Sequence, residues 1–264
     1  MSRLCNRRRW TAGVVLLAAL LGAGCAEMDK GNQVRQDASM LKFLFPNQKD
    51  VAPPSDKVAE IRVPFRIGVA FVPDTSAAEF RLPESERQRL AGQVREAFAN
   101  YPFIREIEVV PSLYLEPGGS FANLDRLAQL LRLDVIALIS FDQTQQTEAN
   151  RASLWYWTGV GAYVVEGDQF DVLTAVETAV FDIPSRRLLM HASGTSTVKG
   201  ASTLVTFKAK AREARTAGFE QAMQQMIGNL HEQVQQFRMT APGDPRIHLI
   251  LPPGYHPASS VPAR

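Results

Sequence analysis

The stretch "LDRLAQLLRLDVIALISFD", residues 124–142, contains two periodicities that together decide the fold. In its first half, apolar residues recur at helical spacing, which predicts a helix over about residues 122–131. The residues of that apolar face are Leu124, Leu127, Ala128 and Leu131. The second half, residues 134–142, is a continuous apolar run that predicts a strand buried on both faces. A helix that leads directly into such a strand is typical of a domain in which helices cover a β-sheet.

Two strands and another helix precede this stretch. "FRIGVAFV", residues 65–72, is rich in β-branched and aromatic residues and predicts a strand, and "IREIEVVP", residues 104–111, predicts a second one. Between them Pro83 opens a helix whose first turn carries Glu84 and Glu86, where the helix dipole favours acidic side chains. The order up to this point is therefore β-α-β-α-β.

The rest of the regular chain predicts a hairpin and a long helix. "VLTAVETAVFDI" (172–183) and "RLLMHASGTST" (187–197) have the pattern of two antiparallel strands joined by a tight turn. An apolar stripe over residues 206–238 predicts a helix of roughly 30 residues. Together these elements predict an α/β (α+β) fold, in which a mixed β-sheet is packed by two or three helices.

The first 25 residues have the pattern of a secretory signal. Four arginines precede an apolar run, residues 14–21, which is much shorter than the roughly 20 residues needed to span a bilayer. Small residues then lead to Cys25. The stretch resembles a bacterial lipobox, in which the signal is cut before a cysteine that receives a thioether-linked lipid; Gly22 stands where that motif usually has leucine. An uncut membrane anchor is the alternative, and the shortness of the run argues against it.

Lipid attachment at Cys25, with acyl chains such as palmitate, would anchor the protein to a membrane. Because Ala26 rather than aspartate follows Cys25, the resemblance implies the outer membrane, with the domain facing the periplasm. Cleavage would remove Cys5 and four of the 29 basic residues, which leaves 25 basic against 27 acidic residues. We therefore expect no nucleic-acid partner, since such proteins show a basic patch, and no disulfide or thiolate metal site.

These features predict a division of the chain into four parts. They are a lipoprotein signal peptide (1–24), a lipid anchor and tether (25–60), a single α/β domain (61–240) and a Pro-rich flexible tail (241–264). Within the tether, "SMLKFLFP" (39–46) is too apolar for a free linker. It predicts a short helix that docks on the domain, or alternatively a contact with the membrane surface.

The most unusual stretch of the mature chain is "LWYWTGVGAYVV", residues 154–165. In a strand, Trp155 and Trp157 point to one face, and Leu154 and Tyr156 to the other. Two interpretations stay open: a core strand with one face buried, or a hairpin that contacts a membrane or a partner protein. These four residues are our candidate contact residues.

Residues with catalytic potential are few. No nucleophile elbow, P-loop or dinucleotide-binding motif occurs, and the four histidines have no partners at metal-ligand spacing. Several aspartates near strand ends could line a ligand or hydrolase site, although turn and cap roles explain such residues equally well. They are Asp142, Asp168, Asp171 and Asp182. We predict a protein that is not an enzyme and has no metal site and no cofactor.

The order of elements over about residues 62–237 resembles the domain of periplasmic lipoproteins of the curli-secretion and penicillin-binding-protein-activator type, and the amino-terminal domain of the translocation protein TolB. A closer resemblance is to the rhombotarget lipoprotein family, through the lipobox, "LKFLFP", "LWYWTGVGAYVVEG" (154–167) and "VFDIPSRRLL" (180–189). That family has no established activity, so the resemblance implies a fold and a location.

Three hypotheses about function follow. The first is a non-enzymatic outer-membrane lipoprotein that holds or recruits another envelope protein. The second is a small-ligand binder or hydrolase that uses the sheet-edge carboxylates. The third is a subunit of an oligomeric secretion assembly, because the curli-secretion proteins build a pore from inserted hairpins.

Overall fold

A computed structural model of the chain describes residues 32–47, 57–74, 81–149 and 166–253. Its strands are β1 (Asn32–Ala38), β2 (Ala59–Arg62), β3 (Phe65–Phe71), β4 (Ile104–Val109), β5 (Val135–Ala149), β6 (Asp168–Asp182), β7 (Arg187–Ser202) and β8 (Ile247–Ile250). Its helices are α1 (Met40–Leu44), α2 (Glu84–Phe98), α3 (Ser120–Leu131) and α4 (Phe207–Thr240). The predicted mixed fold and its order of elements are confirmed.

Six of the strands form one sheet around β5, in the order β4-β3-β5-β6-β7 with β1 also paired to β5. β3 runs parallel to β4 and to the first part of β5, residues 135–139. β1 continues along the same edge of β5 in the antiparallel direction, with Ala38 opposite Phe141 and Asn32 opposite Thr147. β6 pairs with the other edge of β5 over its full length, and β7 pairs with β6.

Helices cover both faces of the part of the sheet formed by β3 and residues 135–141 of β5, which we call the apolar half together with the adjoining residues 178–182 of β6. Successive side chains of a strand point to opposite faces. Phe181 accordingly contacts Phe121 of α3 on one face, while Phe141 contacts Phe219 of α4 on the other. The prediction that this strand is buried on both faces is confirmed, because residues 135–139 are at most 4% exposed.

The other part of the sheet, which we call the polar half, consists of β1 and the adjoining ends of three strands: residues 142–149 of β5, 168–177 of β6 and 193–202 of β7. α4 packs across one of its faces. On β6, the side chains of Phe170, Val172 and Thr174 lie under α4 and are buried, whereas those of Leu173 and Ala175 point the other way and are exposed. Among the described residues, no element covers that second face.

The beginning of the domain differs from the prediction of a tether over residues 25–60. β1 belongs to the main sheet. Beyond Ile139, β3 no longer pairs with this edge of β5, and the backbone N–H and C=O groups of β1 supply the hydrogen bonds there instead. α1 follows at once, with the Ser39 side chain capping its first turn, and buries Phe43 and Leu44 in the core. The prediction of a short docked helix in "SMLKFLFP" is thereby confirmed.

The end of the domain also differs from the predicted division at residue 241. Ala241 is 1% exposed, and β8 pairs in parallel with β2, with Ile247 opposite Ala59. This two-stranded sheet combines residues from both predicted flexible segments. Neither strand has a partner close in sequence, so the pairing is a tertiary contact that local pattern could not reveal.

Candidate functional site

An apolar cavity of about 220 Å³ lies between the main sheet, α2, the second half of α4 and the small β2–β8 sheet. Its floor is formed by alternate residues of the sheet, among them Ile67, Ala137 and Val180. Its walls are the apolar stripes of the two helices, including Phe98 and Val234. Of its lining residues, Arg238 alone carries a charged side chain.

The form of this space is that of a small-molecule site. It is concave, partly open to solvent and lined almost entirely by apolar side chains. Pockets for small ligands usually combine such a lining with a few polar groups that fix the orientation of the ligand. The cavity is therefore our candidate binding site.

Charged side chains hold the two helical walls together. Arg89 of α2 donates to Glu220 of α4 at 2.8 Å, and Gln93 also donates to Glu220, at 2.5 Å. Burial by itself would raise the pKa of Glu220, but the hydrogen bonds from Arg89 and Gln93 outweigh it and leave that pKa below its ordinary value. Glu220 is thus ionised at neutral pH, and the contact fixes α2 beside α4.

Aromatic rings line the end of the cavity near Arg238. The guanidinium carbon of Arg238 lies 5.7 Å from the centre of the Phe103 ring, a cation–π arrangement. Tyr101 packs against Phe103, and its hydroxyl lies 2.8 Å from Nδ1 of His231 on α4. Arg238 also donates to Gln235 at 3.3 Å. The cation is therefore held over the aromatic end of an apolar space.

The aspartates that the sequence singled out do not converge on one site. Asp142 lies opposite Ala175 of β6, and Asp182 lies seven residues further along that strand. At about 3.3 Å per residue, this places the two carboxylates about 23 Å apart along the sheet. Asp168 lies seven residues from Ala175 in the other direction. None of these residues lines the apolar cavity.

Structural roles account for three of these aspartates. Asp182 is 3% exposed and accepts hydrogen bonds from the backbone N–H and the hydroxyl of Ser185, so it caps the β6–β7 turn. The other two form ion pairs on the uncovered face of the polar half. These pairs are Arg35–Asp142 and Lys199–Asp171. The alternative that such residues have turn and cap roles agrees with Asp182, whereas the surface ion pairs of Asp142 and Asp171 were not predicted.

Three of the histidines lie on separate elements: His191 on β7, His231 on α4 and His248 on β8. Within the described ranges, no three His, Cys, Asp or Glu residues are grouped so that they could hold a metal ion. In the same part of the chain, no helix combines the length and the apolarity needed to cross a membrane.

The lipid-attachment candidate Cys25 and the candidate contact residues Leu154, Trp155, Tyr156 and Trp157 lie outside the described residues. The strands that flank them are described. Asn32 pairs with Thr147 near the end of β5, and Glu148 pairs with Gln169 at the start of β6. The strand that follows Cys25 and the two strands that flank residues 150–165 therefore meet at one end of the polar half.

No protein-family model matches the chain, and no curated protein matches it. Among solved structures, it is similar to a PelC variant from Paraburkholderia phytofirmans, solved as a dodecamer, with 12% identity over 73% of this chain and 99% of that chain and a TM-score of 0.24. A Xanthomonas campestris protein of the DUF330 family has 14% identity over 74% of this chain and 93% of that chain, with a TM-score of 0.32. At such low TM-scores, these likenesses carry no argument about function.

Sequence reasoning missed the cavity. Its lining comes from helices and from both sheets, between Ile61 and Leu251. Most of the contributing residues have the pattern of ordinary core positions, and those after residue 240 fall in the predicted tail. The one local signal is Arg238, a cation that follows Val234 and Phe237 on the apolar stripe of α4. A charged residue next to such a stripe is also common at helix ends, so the signal alone would not have been decisive.

Proposed function

We propose that this protein is a non-enzymatic lipoprotein of the bacterial outer membrane. In this proposal it is anchored by lipid at Cys25 and faces the periplasm. Its α/β domain holds or recruits another envelope protein, with residues 154–157 at or near the contact. The carrying observation is that the strand after Cys25 and the strands that flank residues 150–165 meet at one end of the sheet.

The lipid anchor is supported by the basic residues, short apolar run and small residues that precede Cys25. Because the domain begins at β1, only a short segment connects it to Cys25. Asn32, the first residue of β1, lies seven positions after Cys25, and a chain of that length spans at most about 25 Å. A lipid on Cys25 would therefore hold this end of the sheet close to the membrane.

The contact role of residues 154–157 is supported by composition and by topology. Trp and Tyr favour both membrane interfaces and the cores of protein interfaces. The chain enters this segment after β5 and leaves it before β6, at the end of the sheet where β1 begins. We propose that residues 154–157 of the anchored protein contact another envelope protein near the membrane.

The non-enzymatic role is supported by the separation of the candidate carboxylates. A hydrolase that uses a pair of carboxylates needs both groups within reach of one substrate, and strand geometry holds Asp142, Asp168 and Asp182 far apart. The apolar cavity contains no pair of titratable groups that could serve instead.

The anchor is tested by metabolic labelling with a clickable palmitate. The wild-type chain should carry label, and Cys25→Ala should abolish it. Cys5→Ala is the matched control, since it removes the other cysteine and should label like the wild type. Equal labelling of Cys25→Ala and the wild type would overturn the anchor.

The partner contact is tested by photocrosslinking in intact cells. A photocrosslinking amino acid in place of Trp155 or Trp157 should give a discrete adduct with another envelope protein. The control position is Leu113, which is 88% exposed and lies in a short 3-10 helix, Ser112–Tyr114, between β4 and α3. Adducts of equal yield at all three positions, or none at 155 and 157, would contradict the proposal. Ring-shaped particles in mild detergent would instead favour an oligomeric secretion assembly.

A further inference from the structure

We propose that the apolar cavity binds the acyl chain of a medium-chain fatty acid, whose carboxylate pairs with Arg238. This binding activity is separate from the lipid anchor and from partner recruitment. It rests on the chemistry of the lining, the position of one cation, and the size and location of the space.

The lining selects an apolar ligand without internal polar groups. Side chains such as Ile67, Phe98, Val180 and Val234 offer no hydrogen bond to a ligand that enters between them. A hydroxyl or amide placed there would lose its bonds to water without replacement. A saturated chain loses nothing and removes its own apolar surface from water. Sugars, nucleotides and peptides with polar side chains are poor ligands for such a space.

Arg238 sets the chemistry of the head group. Its guanidinium is the one charged group on the lining, and it is positioned over the Phe103 ring. Guanidinium donors form a planar fork that matches a carboxylate, and such charge-assisted hydrogen bonds are stronger than neutral ones. An amphiphile bound here would therefore place its apolar chain inward and an anionic group at Arg238.

The volume of the cavity limits the length of the acyl chain that it can hold. An engineered cavity of about 150 Å³ binds benzene, a ligand of six carbons. At the same ratio, the 220 Å³ found here holds about nine carbons. The ligand class is thus a fatty acid of about eight to ten carbons, rather than a phospholipid with two long chains.

The location favours a ligand that arrives from the aqueous side. Val135 lines the cavity, and Thr147, which pairs with Asn32, lies twelve positions further along β5. At about 3.3 Å per residue the cavity lies about 40 Å along the sheet from that end. A protein anchored through Cys25 would hold the cavity away from its own bilayer.

The test uses the full chain in lipid nanodiscs and a decanoic acid probe that carries a terminal diazirine. After irradiation, peptide mapping should find the label on α4 between Leu230 and Arg238 or on neighbouring lining residues. Sodium decanoate should displace the probe at least about tenfold more effectively than decanol, the strength expected of a charge-assisted hydrogen bond. Arg238→Gln should abolish this preference, whereas Arg212→Gln, an exposed position on the same helix, should keep it.

A second variant tests the space itself. In Val234→Phe the larger side chain occupies part of the cavity, so we expect labelling to be abolished. The melting temperature should stay the same or rise, because the new ring fills the space. Cys25→Ala should label like the wild type, so failure of the anchor and failure of this proposal are distinguishable. Label outside the lining, or equal displacement by decanol and decanoate, would overturn the proposal. Labelling that arose only after deletion of residues 254–264 would also overturn it, because that result would mean that this segment occupies the cavity of the full chain.

Discussion

The two halves of the main sheet are buried by different means. In the apolar half, β5 is covered on both faces, and residues such as Ile136 and Leu138 are fully buried among other apolar side chains. In the polar half, α4 covers one face only, and the buried side chains under it include Gln36, Gln143 and Thr174. One strand, β5, passes from the first environment into the second.

In the polar half, side-chain hydrogen bonds rather than apolar contacts connect the sheet to α4. Gln143 accepts a bond from Gln36, and its amide donates both to Thr174 at 2.7 Å and to the backbone carbonyl of Arg215 at 3.0 Å. Both donors and the acceptor of this buried amide are used. Ser196 similarly donates to the Gly218 carbonyl at 2.8 Å. α4 is thus joined to the polar half by bonds that require a defined distance between helix and sheet.

Glycines set that distance. A Cβ atom on Gly194 would lie 2.5 Å from the Met226 nitrogen and closer still to the Ala222 carbonyl oxygen, both in the backbone of α4. A Cβ on Gly218 would lie 2.6 Å from the Thr174 hydroxyl. The polar half therefore depends on close backbone approach and defined hydrogen-bond pairing, whereas the apolar half depends on side-chain volume.

The largest expected effect is that of Gly194→Ala. Because the added methyl group meets helix backbone rather than a flexible side chain, α4 must move away from the sheet, and we expect a loss of at least about 3 kcal/mol in the free energy of unfolding. Urea denaturation measures it. The control is Gly228→Ala on α4, where the new Cβ would meet nothing within 4 Å beyond its chain neighbours and the local helix backbone; it should be neutral or stabilising. Equal midpoints for the two variants would contradict the close approach.

The second prediction compares the halves directly. Gln143→Leu keeps the approximate volume but leaves three buried partners without their bonds, so we expect a loss of about 2–3 kcal/mol. Leu138→Met in the apolar half conserves volume and apolarity and should cost less than about 1.5 kcal/mol. Urea denaturation measures both losses. A larger loss in the free energy of unfolding for Leu138→Met than for Gln143→Leu would contradict the proposed difference between the two halves.

The third prediction concerns a charge that supports the apolar half. Glu84 begins α2; burial alone would raise its pKa, but the Ser112 hydroxyl, the Ser112 backbone N–H and Gln88 outweigh that and lower it below the ordinary value of 4.5. A lowered pKa in the folded state contributes stability above the unfolded pKa, and this contribution is lost as the pH falls through the folded value.

Glu84→Gln should therefore lose this pH-dependent contribution. The stability advantage of the wild type over the variant should be constant near neutral pH and should shrink below about pH 4.5. Denaturation midpoints at several pH values measure it. Glu96→Gln, an exposed position on the same helix, serves as the control. An advantage that grows on acidification would contradict the assignment.

The smallest expected effect is on the uncovered face of the polar half. Arg35 and Asp142 form an ion pair there with an Arg35 Nε to Asp142 oxygen distance of 3.0 Å, but both side chains are largely exposed to solvent. Exposed pairs contribute little because water and salt screen them. Arg35→Gln should leave the urea midpoint within experimental error. A clear loss that persists in high salt would show that this face is less open than the structure indicates, because a shielded pair is screened much less.

Prediction from sequence succeeded for elements with a strong local pattern. Residues 134–142 and 206–238 have patterns that identify their elements, and Pro83 marks the start of α2 as the structure has it. It did not recover β1, because "NQVRQDA" is polar on both faces and its partner, residues 141–147, lies more than 100 positions away. The polar network was missed for the same reason, since a buried glutamine and an exposed one look alike in sequence.

The sequence by itself determined the order of elements, the burial of the first part of β5 and the chemistry that makes Cys25 a candidate for lipid attachment. These follow from periodicity and residue type, which are properties of short segments. Only the tertiary structure decided that β1 and β8 complete two sheets, that Gln143 is buried under α4, and that the second half of α4 leaves an apolar space beside Arg238. These features depend on pairing between strands far apart in sequence and on how the side chains of different elements pack together. No single segment contains that information.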